Sequence, residues 1–225
     1  MSFDISFAIA SLMPSDPPRL YLITPPLADL SGFMPVFAAA LAAGDLACVL
    51  LRLAVRDETE AKRIVRGLRE AASSRDVALL VEGDAKLAAR SGADGVHIRG
   101  GGGALQEALD SLKPERIVGC GGLELRHDAM LAGEAGVDYV MFGDPDTSGR
   151  KPSFSDTLAR TAWWAEIFTV PCVACASRLE ELGDLAEAGA DFVALHETVW
   201  RDPRGVAAAL DEVRAALAEG AGAAG

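Results

Sequence analysis

Hydrophobic positions along the chain fall into two alternating kinds of segment. Short, nearly continuous apolar runs at residues 19–24, 46–53, 77–82, 95–99, 116–120, 139–143, 170–175 and 192–196 read as strands buried on both faces. Between them, apolar residues recur at helical spacing near 31–43, 57–72, 84–91, 104–112, 124–135, 156–166 and 178–188, with a last such segment near 203–218. In the second of these, Ala61, Ile64, Val65 and Leu68 form one apolar stripe, and charges such as Glu58 lie to its side. Strict alternation of strands and helices predicts a parallel sheet with right-handed crossovers.

One short phrase repeats: a Gly, usually a spacer, an Asp, then an apolar run. It occurs as Gly44-Asp45-Leu46, Gly92-Ala93-Asp94, Gly136-Val137-Asp138 and Gly189-Ala190-Asp191. The Gly suits the left-handed position that closes a helix, and the apolar run is the next strand. Successive copies lie 48, 44 and 53 residues apart, room for two strand–helix units each. Four copies therefore mark every second strand of an eightfold array, an α/β fold in the form of a single (β/α)₈ TIM barrel. The 225 residues make one domain, with residues 1–18 (Pro14, Pro17, Pro18) as an N-terminal extension and 219–225 as a structureless tail. The longest loop, 144–155, follows the sixth strand and reads as a lid.

Charge and cysteine usage narrow the function classes. Against 33 acidic residues stand 21 basic ones, a net charge of −12, which argues against nucleic acid and anionic membranes as partners. No apolar run reaches the ~18 residues of a membrane span, and the N-terminus lacks the basic start of a signal peptide. Cys48, Cys120, Cys172 and Cys175 sit in predicted strands as reduced thiols, consistent with a cytoplasmic protein. Cys172 and Cys175 form a C-x-x-C, but within a strand they point to opposite faces. The expected partner is a small molecule at the barrel mouth. Trp163 and Trp164 on an outer helix read as inter-helix packing or, if exposed, as a homo-oligomer contact.

In such barrels chemistry is carried by the carboxyl ends of the strands. Those ends are Thr24, Arg52, Glu82, His97 with Arg99, Cys120-Gly121-Gly122, Asp144 with Asp146, Ala176-Ser177 and His196-Glu197, with Lys151 in the long loop. Arg52 reads as an anion ligand, as an ion-pair partner of Glu82, or as both. His97 reads as packed and hydrogen-bonded, and His196 beside Glu197 as a His–carboxylate pair suited to proton transfer. Gly100–Gly103 reads as a turn into a helix or as a backbone anion cradle.

These strand ends resemble the thiamine phosphate synthase family and its thiazole tautomerase relatives, from Leu20-Tyr21-Leu22-Ile23-Thr24 to about Val199. The best-matched segment, Gly92-Ala93-Asp94-Gly95-Val96-His97-Ile98, is close to the family's GADGVHLGQ. The resemblance implies joining of a pyrimidine pyrophosphate to a thiazole phosphate, with Mg²⁺ holding the pyrophosphate. It carries Arg52 and Lys151 over as phosphate-contacting, candidate catalytic residues. Elsewhere the chain departs from the pattern. The family's Gln-x-Arg-x-Lys keeps only Arg52 in Leu50-Leu51-Arg52-Leu53-Ala54, and Asn-Asp becomes Glu82-Gly83. The segment after His97-Ile98-Arg99, where a second magnesium carboxylate belongs, is Gly100–Gly103. A pyrophosphate-binding Ser is Gly121, a phosphate-cradling Gly-Gly is Ala176-Ser177, and the Ser completing that cradle is Glu197.

The expectation is thus a family member with a diverged site: substrate contacts at Arg52, His97, Gly121, Lys151, Ala176, Ser177 and Glu197, and no metal site or cofactor. Catalytic candidates are Arg52, Lys151, Glu82 and His196. The alternatives are a non-catalytic or re-purposed metabolite-binding paralogue and a metal-free tautomerase-like isomerase. Glu197 paired across the cleft with Arg52 or Lys151 would mean a filled ancestral site.

Overall fold

The computed structural model describes residues 17–146 and 148–223, apart from the side chains of Glu197 and 219–223. Eight parallel strands close into a barrel in sequence order: β1 (Arg19–Ile23), β2 (Leu46–Leu51), β3 (Ala78–Glu82), β4 (Gly95–Arg99), β5 (Ile117–Gly121), β6 (Tyr139–Phe142), β7 (Cys172–Ala176) and β8 (Phe192–Leu195). The ring is completed by β1 against β8, with Leu20 opposite Val193 and Leu22 opposite Leu195. The outer helices are α1 (Met34–Ala43), α2 (Glu58–Ser73), α3 (Ala85–Ser91), α4 (Gly103–Leu112), α5 (Arg126–Glu134), α6 (Phe154–Ile167), α7 (Leu182–Glu187), α8 (Glu197–Trp200) and α9 (Val206–Ala223).

The repeated phrase proves to be a joint. Gly44, Gly92, Gly136 and Gly189 all adopt positive φ, between 84° and 93° save Gly92 at 83°, and turn the chain from helix to strand. In three copies the following Asp then bonds twice to one residue of the preceding strand. Asp94 donates its N–H to the Leu79 carbonyl (2.9 Å) and accepts the Leu79 N–H on Oδ2 (2.8 Å). Asp138 does the same with Val118 (2.8 and 2.7 Å), and Asp191 with Cys172 (3.1 and 2.8 Å). Three neighbouring strand pairs are thereby locked at their amino ends. Asp45, in the fourth copy, is 80% exposed and sits at φ 58°, with Arg214 4.0 Å away.

Two cores follow from strand alternation. Residues such as Leu22, Val49, Leu51, Leu79, Val81, Val118 and Val140 face the helices, where they meet Phe37, Ile64, Leu68 and Trp164. The other face fills the barrel with Tyr21, Ile23, Cys48, Leu50, Leu80, Tyr139, Met141, Val173, Cys175 and Phe192. Cys172 belongs to the outer core and Cys175 to the inner one, as the C-x-x-C spacing requires. All four thiols are free and buried. Trp164 is buried on α6, with its Nε1 donating to the Val170 carbonyl at 2.6 Å, so inter-helix packing is its role.

The expected elements are found with shifted ends. β2 stops at Leu51, and Leu53 instead bridges Leu27. The segment 178–188 is a 3₁₀ turn at Leu179–Glu181 running into α7 rather than one helix. The short α8 was not expected; its Trp200 donates Nε1–H to the Ile23 carbonyl at 2.8 Å and packs on Phe33. α9 continues to Ala223, so residues 219–223 are helical where a structureless tail was expected. Ala216, Ala218, Ala221 and Ala223 are the best helix formers, and the helix already started at Val206 carries on through Gly220 and Gly222. Of the expected extension 1–18, residues 1–16 lie outside the described residues, as do 224–225 of the tail. No described helix is long and apolar enough to cross a membrane.

The joints make a sharp contrast. Asp191→Ala strands the Cys172 N–H and costs about 1–3 kcal/mol, a Tm fall of roughly 2–4 °C for each kcal/mol. Asp45→Asn changes stability by less than about 0.5 kcal/mol. Thermal denaturation of the two variants beside the parent chain checks both; equal losses would contradict the assigned role of the joint.

Candidate functional site

Counting by two from the joints places the mouth residues. On the inward faces run Cys48-x-Leu50-x-Arg52, Ala78-x-Leu80-x-Glu82, Gly95-x-His97-x-Arg99 and Phe192-x-Ala194-x-His196. Each ends its strand with a polar side chain in the top layer. Arg52 is fixed at its backbone by Thr24, whose Oγ1 accepts the Arg52 N–H at 3.0 Å.

Glu82 sits between two guanidinium groups. Arg99 Nη2 donates to Glu82 Oε1 at 2.5 Å, and Arg52 Nε lies 3.4 Å from Glu82 Oε2. The expected Arg52–Glu82 pair is present, and Arg99 makes it a triad. The Nε atoms of both arginines are buried without a hydrogen-bond partner. Two cations against one carboxylate leave this part of the mouth net positive. The same geometry bears on magnesium. Glu82 is the nearest replacement for the family's metal carboxylate, and both its oxygens face arginine. Among the described residues no group of three or more His, Cys, Asp or Glu is arranged to hold a metal. The donor set does not fit Mg²⁺, which requires several oxygen ligands at about 2.0–2.1 Å. Gly100–Gly103 forms the turn into α4, with the Gly100 N–H donated to the Gly121 carbonyl at 2.7 Å.

Below this layer runs a buried polar line. The Tyr21 and Tyr139 hydroxyls share a hydrogen bond of 2.8 Å, and Tyr139 Oη lies 2.8 Å from His97 Nδ1. Burial raises both phenols well above their ordinary range, so both keep their protons. The other His97 nitrogen, Nε2, is 3.6 Å from Asp144 Oδ2. Asp144 Oδ1 accepts the Gly122 N–H at 2.9 Å. A Cβ on Gly121 would fall 2.5 Å from Asp144 Oδ2 and 2.8 Å from the His97 ring, so this arrangement requires glycine there.

The loop after β6 is organised by Asp146. Its Oδ1 accepts the Ser148 N–H (2.8 Å), the Ser148 hydroxyl (2.6 Å) and the Arg150 N–H (2.9 Å), and the Ser148 bond above all holds this carboxyl well below the usual range. Asp146 therefore shapes the loop rather than facing a metal. Lys151 is exposed at the edge of a cleft of about 260 Å³ that Gly122, Asp144 and Arg160 also line.

His196 is pushed down to about 4, chiefly by burial and then by the positive charges of Lys151 and Arg52. Its Nε2 is buried with no hydrogen-bond partner. It is a neutral ring in a cationic mouth. Its expected partner Glu197 opens α8, but that side chain lies outside the described residues.

One expected contact is corrected. The amides after β7 were read as a phosphate cradle at Ala176-Ser177. Instead Glu181 Oε2 accepts the Ser177 N–H at 2.7 Å and the Arg178 N–H at 3.2 Å, and Ala176 is buried in the outer core. An internal carboxylate caps these donors. The cap was hidden in the sequence because Glu181 reads there as one more helix-surface acid.

The structure thus brings Arg52, Glu82, His97, Gly121, His196 and the β4 end together, and gives the Ser177 amide to Glu181. Two residues gain roles that their sequence positions alone did not give. Arg99 was visible as the inward neighbour of His97 by period two. Asp144 was visible only as a strand end; its place over Gly121, whose missing side chain leaves the space, follows from ring closure.

Comparison with known proteins bears on these groups. Residues 20–199 match the family described as thiamine monophosphate synthase. A thiamine-phosphate synthase of Rhodospirillum centenum is 44% identical over 194 residues, covering 85% of this chain and 94% of that protein. One from Erythrobacter litoralis is 38% identical, covering 82% and 89%. Among solved structures, a thiamine phosphate pyrophosphorylase from Pyrococcus furiosus superposes with a TM-score of 0.74 at 22% identity, over 90% of this chain and 96% of that one.

The displaced titration of His196 sets a pH dependence. Its folded value is depressed from 6.5 to about 4, so its stabilising contribution is full above pH 6.5 and is lost as pH falls toward 4. In His196→Gln that loss is missing. Urea midpoints between pH 7 and pH 4 will therefore fall less steeply in the variant; parallel curves would rule out a buried neutral ring.

Proposed function

The chain belongs to the thiamine monophosphate synthase family, and from that premise we propose that its mouth binds a phosphorylated ligand through protein cations in place of magnesium. The site is a diverged one. The reaction we infer is the family's transfer, in which a pyrimidine pyrophosphate is joined to a thiazole phosphate. Arg52, Arg99 and Lys151 then neutralise the departing pyrophosphate, a role that preorganised charges perform at little reorganisation cost.

The observation that carries this reading is the Arg52–Glu82–Arg99 triad. Two guanidinium groups share one carboxylate, and each keeps a buried Nε–H that makes no hydrogen bond, with Arg52 Nε facing Glu82 Oε2 at 3.4 Å. Buried donors left unpaired cost about 1–3 kcal/mol each, and an incoming phosphate oxygen removes that cost. Arg99, at the end of β4, brings a second cation to Glu82 from the opposite side of β3 to Arg52. The high identity to proteins named thiamine-phosphate synthases supports the same chemistry.

A second reading draws on one observation. With the Ser177 amide capped by Glu181, the subsite that the family uses for a second phosphate is closed at that amide. That favours a re-purposed family member handling a single phosphorylated metabolite.

One assay separates them. The purified protein is given both family substrates, with Mg²⁺ or with excess chelator, and thiamine phosphate is measured by fluorescence after oxidation. Product formed at similar rates in both conditions supports the metal-free transfer. Product only with Mg²⁺ would overturn the cation reading, and none in either condition would leave the single-metabolite reading. Binding of inorganic pyrophosphate gives a further check by calorimetry. Arg99→Ala weakens it roughly ten- to a hundredfold, the scale of a lost charge-assisted hydrogen bond at about 1.5–3 kcal/mol. Glu82→Gln tightens it, because a negative charge leaves an anion site; weakening by Glu82→Gln would instead mark Glu82 as a metal ligand.

A further inference from the structure

The His97–Asp144 pair has no part in anion binding as described, yet it is built with care. His97 is 1% exposed and the Asp144 side chain 5%. The far end of each is tied: His97 Nδ1 to Tyr139 Oη at 2.8 Å, and Asp144 Oδ1 to the Gly122 amide at 2.9 Å. The near ends, Nε2 and Oδ2, face each other at 3.6 Å, and both are buried with no hydrogen-bond partner. Two buried groups that face each other without a hydrogen bond leave a place for a proton between them, and an unsatisfied buried pair of this kind calls for an explanation.

That point adjoins the anion site. Gly121, over which the pair sits, is the register partner of Arg99 across β4 and β5. A bare carboxylate beside a pyrophosphate would repel it, whereas a pair holding a proton would donate to it. The line behind His97 suits such a proton. The Tyr139 hydroxyl can donate to a neutral Nδ1 or accept from a protonated one, and the Tyr21 hydroxyl behind it can turn to match.

We propose that His97 and Asp144 together form the general acid of this site, giving a proton to the phosphate oxygen that leaves. The inference rests on the transfer reading above. The carbon–oxygen bond to the diphosphate breaks with its electron pair going to that oxygen. The proton of the pair passes to the same oxygen. The lone pair of the ring nitrogen on the second ligand forms the new carbon–nitrogen bond. Solvent at the mouth returns the proton to the pair after release. Tyr139 and Tyr21 are positioning residues.

The surroundings leave the pair free to set the pH dependence. Facing it are Tyr21 from β1 and Tyr139 from β6, both held protonated, and the thiols of Cys120 on β5 and Cys175 on β7, raised by burial. From the mouth come the permanent cations Arg52 and Arg99, with Lys151, and the neutral His196 from β8.

Two measurements test the proposal. In steady-state assays Asp144→Asn lowers kcat about a hundredfold, within the usual range for losing an acid catalyst, with KM changed less than threefold. The loss of rate at high pH disappears with it. Tyr139→Phe shifts that limb without removing it. An Asp144→Asn enzyme with kcat within threefold of the parent, or a defect confined to KM, overturns the assignment.

The second measurement needs no turnover. The chain holds three histidines, so ¹⁵N spectra of the rings can be assigned singly. Inorganic pyrophosphate is expected to convert His97 to the doubly protonated form in the parent protein. If pyrophosphate binds and His97 keeps its form, the pair does not face the anion and the inference fails. If His97 takes up the proton while the substrate assay gives no product, the transfer reading fails and the acid assignment fails with it, leaving the pair as a contact to the anion alone. Absence of pyrophosphate binding would sink both.

Discussion

The barrel depends on a paired hydrogen bond made by an aspartate at the foot of β4, β6 and β8. Asp94, Asp138 and Asp191 each engage the N–H and the C=O of one residue on the preceding strand, in part through a side chain imitating backbone. Side chains alternate along a strand, so a slip of one residue would turn every inward group outward. Locking Leu79, Val118 and Cys172 fixes which residues reach the mouth three to five positions later. The site chemistry is therefore set from the opposite end of the barrel.

That constraint has a cost that the interior shows. Burial raises the carboxyls of Asp94 and Asp191 above their ordinary range, so these joints keep partly desolvated charges for the sake of register. Arg69 offsets one of them at 2.8 Å from Asp94, and Lys113 lies 2.5 Å from Asp138. The barrel centre is likewise not purely apolar. A tyrosine–tyrosine–histidine line crosses it among Leu50, Leu80, Met141 and Phe192, and ends at two atoms without partners. Satisfied polar lines stiffen a core and specify one packing. The unsatisfied end is where we propose that the molecule meets its ligand.

Much of the fold was legible because it is written locally. Helix-closing glycines, apolar runs and the spacing of the repeated phrase together require an eightfold alternation, and no long-range information is needed to see it. Arg52 with Glu82, and the opposite faces of Cys172 and Cys175, follow from period two and neighbouring strands. What stayed hidden depends on ring closure and on loops. Asp144 meets His97 across two strands, a contact that no sequence spacing encodes. Glu181 lies in a turn after β7 and reaches back to the Ser177 amide, against its appearance as a surface acid. α8 escaped notice because four residues carry too little periodicity to be read.

Gly121 and Asp144 also constrain how this sequence can change. A side chain at 121 would place its first carbon 2.5 Å from the Asp144 carboxylate, and removing the carboxylate alone would leave an unfilled space above β5. A side chain is excluded at 121 while the Asp144 carboxylate holds this place, and the carboxylate is excluded here once residue 121 carries a side chain. The two positions are coupled: substitution at either is tolerated only together with a matching change at the other.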